Sequence, residues 1–339
     1  MANNSNKNGI QMRFIEHLKK VAPSNISLVD EIADLLKVSN DSAYRRIRGE
    51  TALSIDETLE LCRHFKIPLD VISASSQDSV TFSYKSLGKD DMDLDLYFKG
   101  IEKDLEMVNS FKEKHIYFAA EDIPVFHHFY SDSLGAFKFY YWKKSILNDP
   151  ALDGEKFDKN FLHKETKAIS KKIFEEYTKV SSTEVWTEDT FLSTLRQLTF
   201  YWESGEFKQK QDALDVCSDF HQMLNHLEKQ AELGFKFLPG QKPESNQEAN
   251  FNLYISELMI GNNTVLIATE GIRLARLSFN TFNSLSTNNK NYYEVNEGWM
   301  KNLIKKSALI SGVSEKQRFQ FFKKMHDAIN KVQQSIETE

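Results

Sequence analysis

The sequence predicts a mainly α chain: an N-terminal unit of short helices, a larger helical body, and a small C-terminal α+β unit in which a β meander precedes two helices. Three observations carry that expectation. Apolar residues recur at helical spacing over most of the 339 residues. Twenty-five phenylalanines, twelve tyrosines and four tryptophans stand against thirteen glycines and six prolines, a balance that suits a packed, helix-rich interior and not an all-β or disordered chain. Two compositional breaks, SASSQDS at 73–79 and LPGQKPESNQEAN at 238–250, divide a chain long enough for two or three domains.

Residues 1–11 read as a polar tail and 12–73 as the first domain. Its helices are expected over Met12 to Val21, Leu28 to Leu36, Asn40 to Arg48 and Ile55 to Phe65, with a fifth turn at Leu69 to Ile72. Ser39 and Ser54 stand where helix caps belong, and Glu57, three residues after Ser54, completes a capping box. Residues 74–93 form a linker in which VTFSY is a possible short strand. The helical regulatory or dimerisation domain runs from 94 to 237. There Leu94, Phe98, Ile101, Leu105, Val108 and Phe111 share one helical face, and HIYFAA is a strand candidate. The helical pattern returns near Leu134 to Leu147, Lys164 to Val180, Thr190 to Trp202 and Lys208 to Leu233. In the last of these Ala213, Val216, Cys217, Phe220, Met223, Leu224, Leu227 and Ala231 make a core stripe. After the loop at 238–250 the period turns strand-like. NLYISELMI, NTVLIAT and IRLARLSF, with GNN and EG between them as hairpin turns, read as a meander opening the 251–339 unit. Two helices, Trp299 to Ile310 and Glu315 to Ile336, close the chain, the second opened by a capping box of Ser314 and Gln317.

A net charge of −6 excludes any reading in which the whole chain acts as a polycation, so nucleic acid has to meet a local patch. Cys62 and Cys217 lie far apart in different periodic segments and form no disulfide or metal framework; both read as buried thiols of a reducing cytoplasm. The polar start MANNSNKNGIQ carries no apolar run, and no stretch reaches the length of a membrane span, which points to a cytoplasmic chain without a membrane partner.

The segment LVDEIADLLKVSNDSAYRRIRG has the form of a helix-turn-helix, in which one helix steadies a second against the major groove. Ile32, Ala33, Leu36 and Val38 supply the apolar side of the first helix and turn, and Ala43 and Ile47 the buried stripe of the second. That leaves Asn40, Asp41, Tyr44 and Arg45, near the N-terminal end, as candidates for base edges, where arginine suits guanine and asparagine suits adenine. Arg46 and Arg48, further along, suit phosphates. The longer stretch VSNDSAYRRIRGETALSIDETLELCRHFKIPLDVI resembles the xre-type, phage-repressor-like helix-turn-helix family. In that resemblance Gly49 matches the glycine ending the recognition helix, Ser54, Ile55 and Leu59 match the start of the fourth helix, and Leu69 and Asp70 match the last turn. The resemblance covers residues 12–72 and implies a five-helix, lambda-repressor-like DNA-binding domain. This chain departs from it in having Val29 where a glutamine often anchors a phosphate, Arg46 and Ile47 where a Trp-Glu pair is common, and Cys62 where alanine is usual.

Residues 80–339 carry no phosphate-cradling glycine loop, HExxH, paired CxxC or GxSxG. The most suggestive cluster is AAEDIPVFHHFY, with Glu121, Asp122, His127 and His128. Adjacent histidines point to different faces, so it reads as a packed, hydrogen-bonded segment and not a metal site. Lys301, Lys305, Lys306, Lys316, Arg318, Lys323 and Lys324 read as solvated faces. Tyr140, Tyr141, Trp142, Tyr201 and Trp202 mark a region for an effector pocket, although each alone reads as core. The expectation is a non-enzymatic, sequence-specific transcriptional regulator without cofactor or metal. Its partners are double-stranded DNA, a second copy of itself as a homodimer, and a small-molecule, peptide or protein effector on residues 80–339. The alternative is an interaction or defence-associated protein whose helix-turn-helix serves autoregulation or protein contacts.

Overall fold

A computed structural model of the chain describes residues 7–22, 27–65, 67, 80–84, 94–243, 249–279 and 283–339. Two compact units emerge, Met1–Thr81 and Phe82–Glu339.

The first unit holds α1 (Lys7–Val21), α2 (Leu28–Leu36), α3 (Asn40–Ile47) and α4 (Ile55–His64). α1 starts within the segment expected to be a tail. Ser27 and Ser39 cap α2 and α3 by accepting from the backbone N–H groups of Asp30 and Ser42, and Ser54 and Glu57 form both halves of the expected capping box. Phe14, Ile15, Leu18, Ile32, Ala33, Ala43, Ile47, Leu61, Cys62 and Ile67 close into one small core. The fifth turn expected at Leu69 to Ile72 lies outside the described residues.

The second unit corrects the expected fold class. It is α/β, built on one seven-stranded mixed sheet, and not a helical body joined to a separate small β unit. Its elements are α5 (Leu94–Asn109), β1 (Lys114–Ala120), α6 (Val125–His128), α7 (Asp132–Tyr141), α8 (Lys164–Thr178), β2 (Ser181–Trp186), α9 (Glu188–Glu203), α10 (Lys210–Leu233), β3 (Phe251–Ile255), β4 (Thr264–Thr269), β5 (Arg273–Phe279), β6 (Asn283–Thr287), α11 (Lys290–Lys305), β7 (Ala308–Leu309) and α12 (Glu315–Thr338). The sheet order is β6-β5-β4-β1-β2-β3-β7. β1, β2 and β3 run parallel, joined by helical crossovers, while β4, β5 and β6 form an antiparallel meander added beside β1.

The expected meander of three runs is therefore wrong in one partner. NLYISELMI supplies β3, which pairs with β2 and β7 and not with β4; the third meander strand is β6, from the unforeseen NSLST. A strand's pattern specifies that it is a strand and which face is buried, but not which distant strand it joins. β2 carries no strand signal in the sequence, because SSTEVW is polar over its first four residues and buries a carboxylate at Glu184. Gly271 at the β4–β5 turn is required by close approach: a Cβ there would lie 2.8 Å from Cε1 of Phe111, just past α5.

One sheet face meets a thick helical layer. Ile116, Phe118, Trp186, Phe251, Leu253 and Ile267 bury against α5 to α10 and α12, and all eight residues of the α10 stripe are buried there as the periodicity required. The other face carries Ala119, Val185, Leu266 and Ala275, covered by Tyr293, Met300 and Leu303 of α11. Each large apolar side chain so buried contributes roughly 1.5–3 kcal/mol. α11 begins at Lys290, nine residues before the expected Trp299 start. Ser314 precedes α12 but makes no side-chain cap bond, so that capping box is absent; its backbone, φ −82° and ψ 55°, is outside the extended conformation usual at an N-cap.

Candidate functional site

The joint between α2 and α3 is three residues long. Lys37 takes the left-handed conformation, φ 52°, and its N–H and that of Val38 return to the carbonyls of Asp34 and Ala33, ending α2 tightly enough for α3 to start at Asn40. Ala43 and Ile47 then point into the core, at 0% and 7% exposure. The opposite surface carries Asn40, Asp41, Tyr44, Arg45 and Arg48. Asn40 Nδ2 donates to Asp30 Oδ1 at 2.8 Å, which orients its amide at the start of the helix. Tyr44 is 49% exposed, and the Arg48 guanidinium lies 5.6 Å from its ring centroid. Arg45 pairs with Asp41 at 3.2 Å and Arg48 with Glu50 at 3.1 Å, both in water-exposed positions.

Arg46 differs from its neighbours. Its guanidinium is directed at α4, where it donates to Glu57 Oε1 at 2.7 and 3.2 Å and to the Ser42 carbonyl at 3.2 Å. That pair holds the Glu57 carboxyl below its usual range despite partial burial. Arg46, expected among the phosphate contacts, links α3 to α4 through this pair. A second clamp was not foreseen, because its residue falls in the presumed tail. Gln11 donates to the carbonyls of Arg46 and Thr51 at 2.9 and 2.8 Å and accepts from Leu53 N–H at 3.0 Å, tying α1 to the end of α3 and the segment after it.

In the second unit the AAEDIPVFHHFY segment is packed and hydrogen-bonded. His127 Nε2 lies 3.0 Å from Glu184 Oε2, His128 Nε2 lies 3.1 Å from Thr194 Oγ1, and Asp122 accepts from the fully buried Lys138 at 3.0 Å. Burial opposes the charge on Asp122, but Lys138 and the Ser193 hydroxyl outweigh it and hold the carboxyl below its usual range. Glu184, wholly buried in the middle of the sheet, also accepts from Tyr177 Oη at 2.6 Å and Trp186 Nε1 at 3.0 Å. Burial alone would raise its carboxyl; the His127 imidazole, the Lys236 ammonium and these donors bring it down to about 2. Lys236, 2% exposed, sits 3.4 Å from the Tyr177 ring centroid and is pushed down to about 7 by burial, against the pull of Glu184. Among the described residues no group of three His, Cys, Asp or Glu converges to hold a metal ion.

A cavity of about 380 Å³ lies between α5 and the sheet. Of the five aromatics expected around a pocket, Trp142 alone lines it. Tyr140 and Tyr201 are core residues, and Trp202 donates Nε1 to Glu339 at 2.7 Å. The basic residues of the last two helices do not converge either: Arg318 is buried and donates to the carbonyls of Ile310 and Gly312, while Lys301 and Lys324 pair with Glu297 and Glu188. No described helix is long and apolar enough to cross a membrane.

No family model, curated protein or solved structure matches this chain.

Proposed function

We propose that the chain is a sequence-specific DNA-binding transcriptional regulator that acts as a homodimer, with α3 as its reading helix. The observation that supports this most is the α2–α3 joint. A left-handed Lys37 and a three-residue turn set α3 at the surface with Ala43 and Ile47 inward, so that Asn40, Asp41, Tyr44, Arg45 and Arg48 face outward on consecutive turns. That is the residue set and placement a major groove accepts. The ion pairs of Arg45 and Arg48 do not oppose the reading. Exposed pairs of this kind are worth about 0–1 kcal/mol, so phosphate or a guanine edge displaces the carboxylate at small cost. Arg48 serves the backbone and Arg45 the bases, while Arg46 is reserved for Glu57.

The test is selection of bound sequences from random duplexes with the full chain, followed by footprinting. Enrichment of one motif, with protection lost on Arg45→Ala, supports the reading. Absence of any enriched motif transfers the α3 surface to protein contacts, the role of an interaction or defence-associated protein.

A further inference from the structure

The cavity beneath α5 is lined mainly by apolar side chains, among them Phe98, Ile101 and Leu105 of α5 and Ile116, Phe118 and Ile267 of the sheet. Among the described residues one cation, Arg276, enters this wall. Sheet register fixes where: Ser83, Ser286, Arg276, Val265, Phe118 and Glu184 stand side by side on successive strands in one row. Arg276 thus shares the inward face with Val265 and Phe118, and its long side chain lies along the cavity. Its Nη2 donates to Asp104 of α5, and its buried Nε has no acceptor among the described residues. A buried donor left unmet is destabilising. The Arg276 side chain as a whole keeps 22% of its surface accessible, and an anionic group in the cavity is drawn to its guanidinium.

We propose that this cavity binds an amphipathic monocarboxylate, its apolar body against α5 and the sheet and its carboxylate on the inner edge of Arg276. A guanidinium presents a planar fork that matches a carboxylate, and Nε is part of that fork. A ligand with a cationic head meets Arg276 with like charge. A neutral hydrocarbon fills the space and leaves Nε unmet. Asp104, whose side chain is 37% exposed, stays in contact with water, which screens it from a second carboxylate on the inner edge. Asp122, at another part of the wall, is already neutralised by Lys138. The cavity volume falls within the range of small-molecule sites, and a wall of aromatic and branched aliphatic groups with one charged anchor is the usual composition of such sites.

Binding is read on the protein alone, so its outcome is separate from that of the DNA-binding reading, on which only a regulatory use of the site rests. The probes are decanoate, 1-decanol and decylamine, added to the full chain below their aggregation limits and followed by calorimetry and by Trp142 emission. Decanoate should bind at least tenfold more tightly than decanol and decylamine, and the emission change should vanish in Trp142→Phe. Arg276→Gln should bring decanoate and decanol to parity. Because that variant leaves Asp104 unpaired and can weaken the fold, Asp104→Asn is the second probe: it frees the guanidinium and should tighten decanoate several-fold. Ile101→Trp, which fills the cavity, should abolish both ligands. Equal affinity for decanoate and decanol, no binding of either, or weaker decanoate binding in Asp104→Asn would overturn the assignment.

Discussion

Three arginines in a row of four residues, Arg45, Arg46 and Arg48, look interchangeable in the sequence, and their surroundings separate them. Arg46 is 16% exposed and makes three hydrogen bonds; Arg45 and Arg48 are 59% and 58% exposed and each holds one surface carboxylate. Arg46→Ala should therefore lower the unfolding free energy by about 2 kcal/mol, since charged hydrogen bonds in a half-buried site are lost. Arg45→Ala should leave stability within about 0.5 kcal/mol and weaken operator binding by roughly 1–3 kcal/mol with little change on random DNA. Arg48→Ala should weaken all sequences alike and lower the salt slope by about 1. Denaturant melts and salt-titrated gel shifts on the three variants check the set; equal stability loss at Arg45 and Arg46 would remove the distinction. The sequence shows the buried stripe of α3 through the four-residue spacing of Ala43 and Ile47. It does not show that Arg46 turns inward, because the partner that draws it there is eleven residues away on another helix.

At the scale of elements, β2 is the piece that sequence periodicity misses and on which the second unit is assembled. SSTEVW alternates poorly, since a carboxylate sits where a core strand carries an apolar group. Glu184 is admitted because four elements or their flanks supply its partners: His127 from α6, Tyr177 from α8, Trp186 from β2 itself, and Lys236 beyond α10. Helices α8, α9 and α10 were legible because each carries its own stripe, a local property. Pairing of β1 with β2 and β4 was not, because it joins residues 114–120 to 181–186 and 264–269, and no local pattern encodes so distant a partner. The network has a pH signature. The folded-state carboxyl of Glu184 near 2 lies below the ordinary 4.5, so its contribution is present in full above about pH 4.5 and is lost as pH falls towards 2. The size is about 3 kcal/mol at neutral pH. Lys236, near 7 when folded and 10.5 when free, acts on the other side: the unfolded chain binds the extra proton, so stability rises as pH goes from about 7 to 10.5. Urea midpoints across pH should show both slopes. Glu184→Gln should flatten the acid slope and Lys236→Met the alkaline one; unchanged slopes in both variants would mean that the network is not what titrates.

For the whole molecule, the division into Met1–Thr81 and Phe82–Glu339 follows the compositional break at 73–79, a feature that polar, small-residue linkers leave in any sequence. The division bears on assembly. A single small head spans only a short half-site, and discrimination against a genome of competing sites calls for two heads on a two-fold axis, with half-site centres about 10 bp apart or a multiple of that. A stable dimer buries roughly 1,200–2,000 Å² in total. On the proposed reading α3 is taken up by DNA, and among the described residues the first unit's exposed large apolar side chains beyond Tyr44 are Ile10, Val21 and Ile55. The second unit exposes Met259 at 91%, Val313 at 99%, Val295 at 64%, Phe200 at 61% and Phe319 at 59%. On the proposed function, the pairing surface is expected within residues 82–339. The full chain should sediment as a dimer at micromolar concentration, and a fragment of residues 1–81 as a monomer. On a selected site with two-fold symmetry, the fragment should bind about 10²–10⁴-fold more weakly, because the second head no longer acts at the high effective concentration its partner provides. On a half-site alone the two should bind with similar affinity. A full-length monomer that still protects both half-sites, or a fragment that dimerises as tightly as the full chain, would place the pairing surface elsewhere.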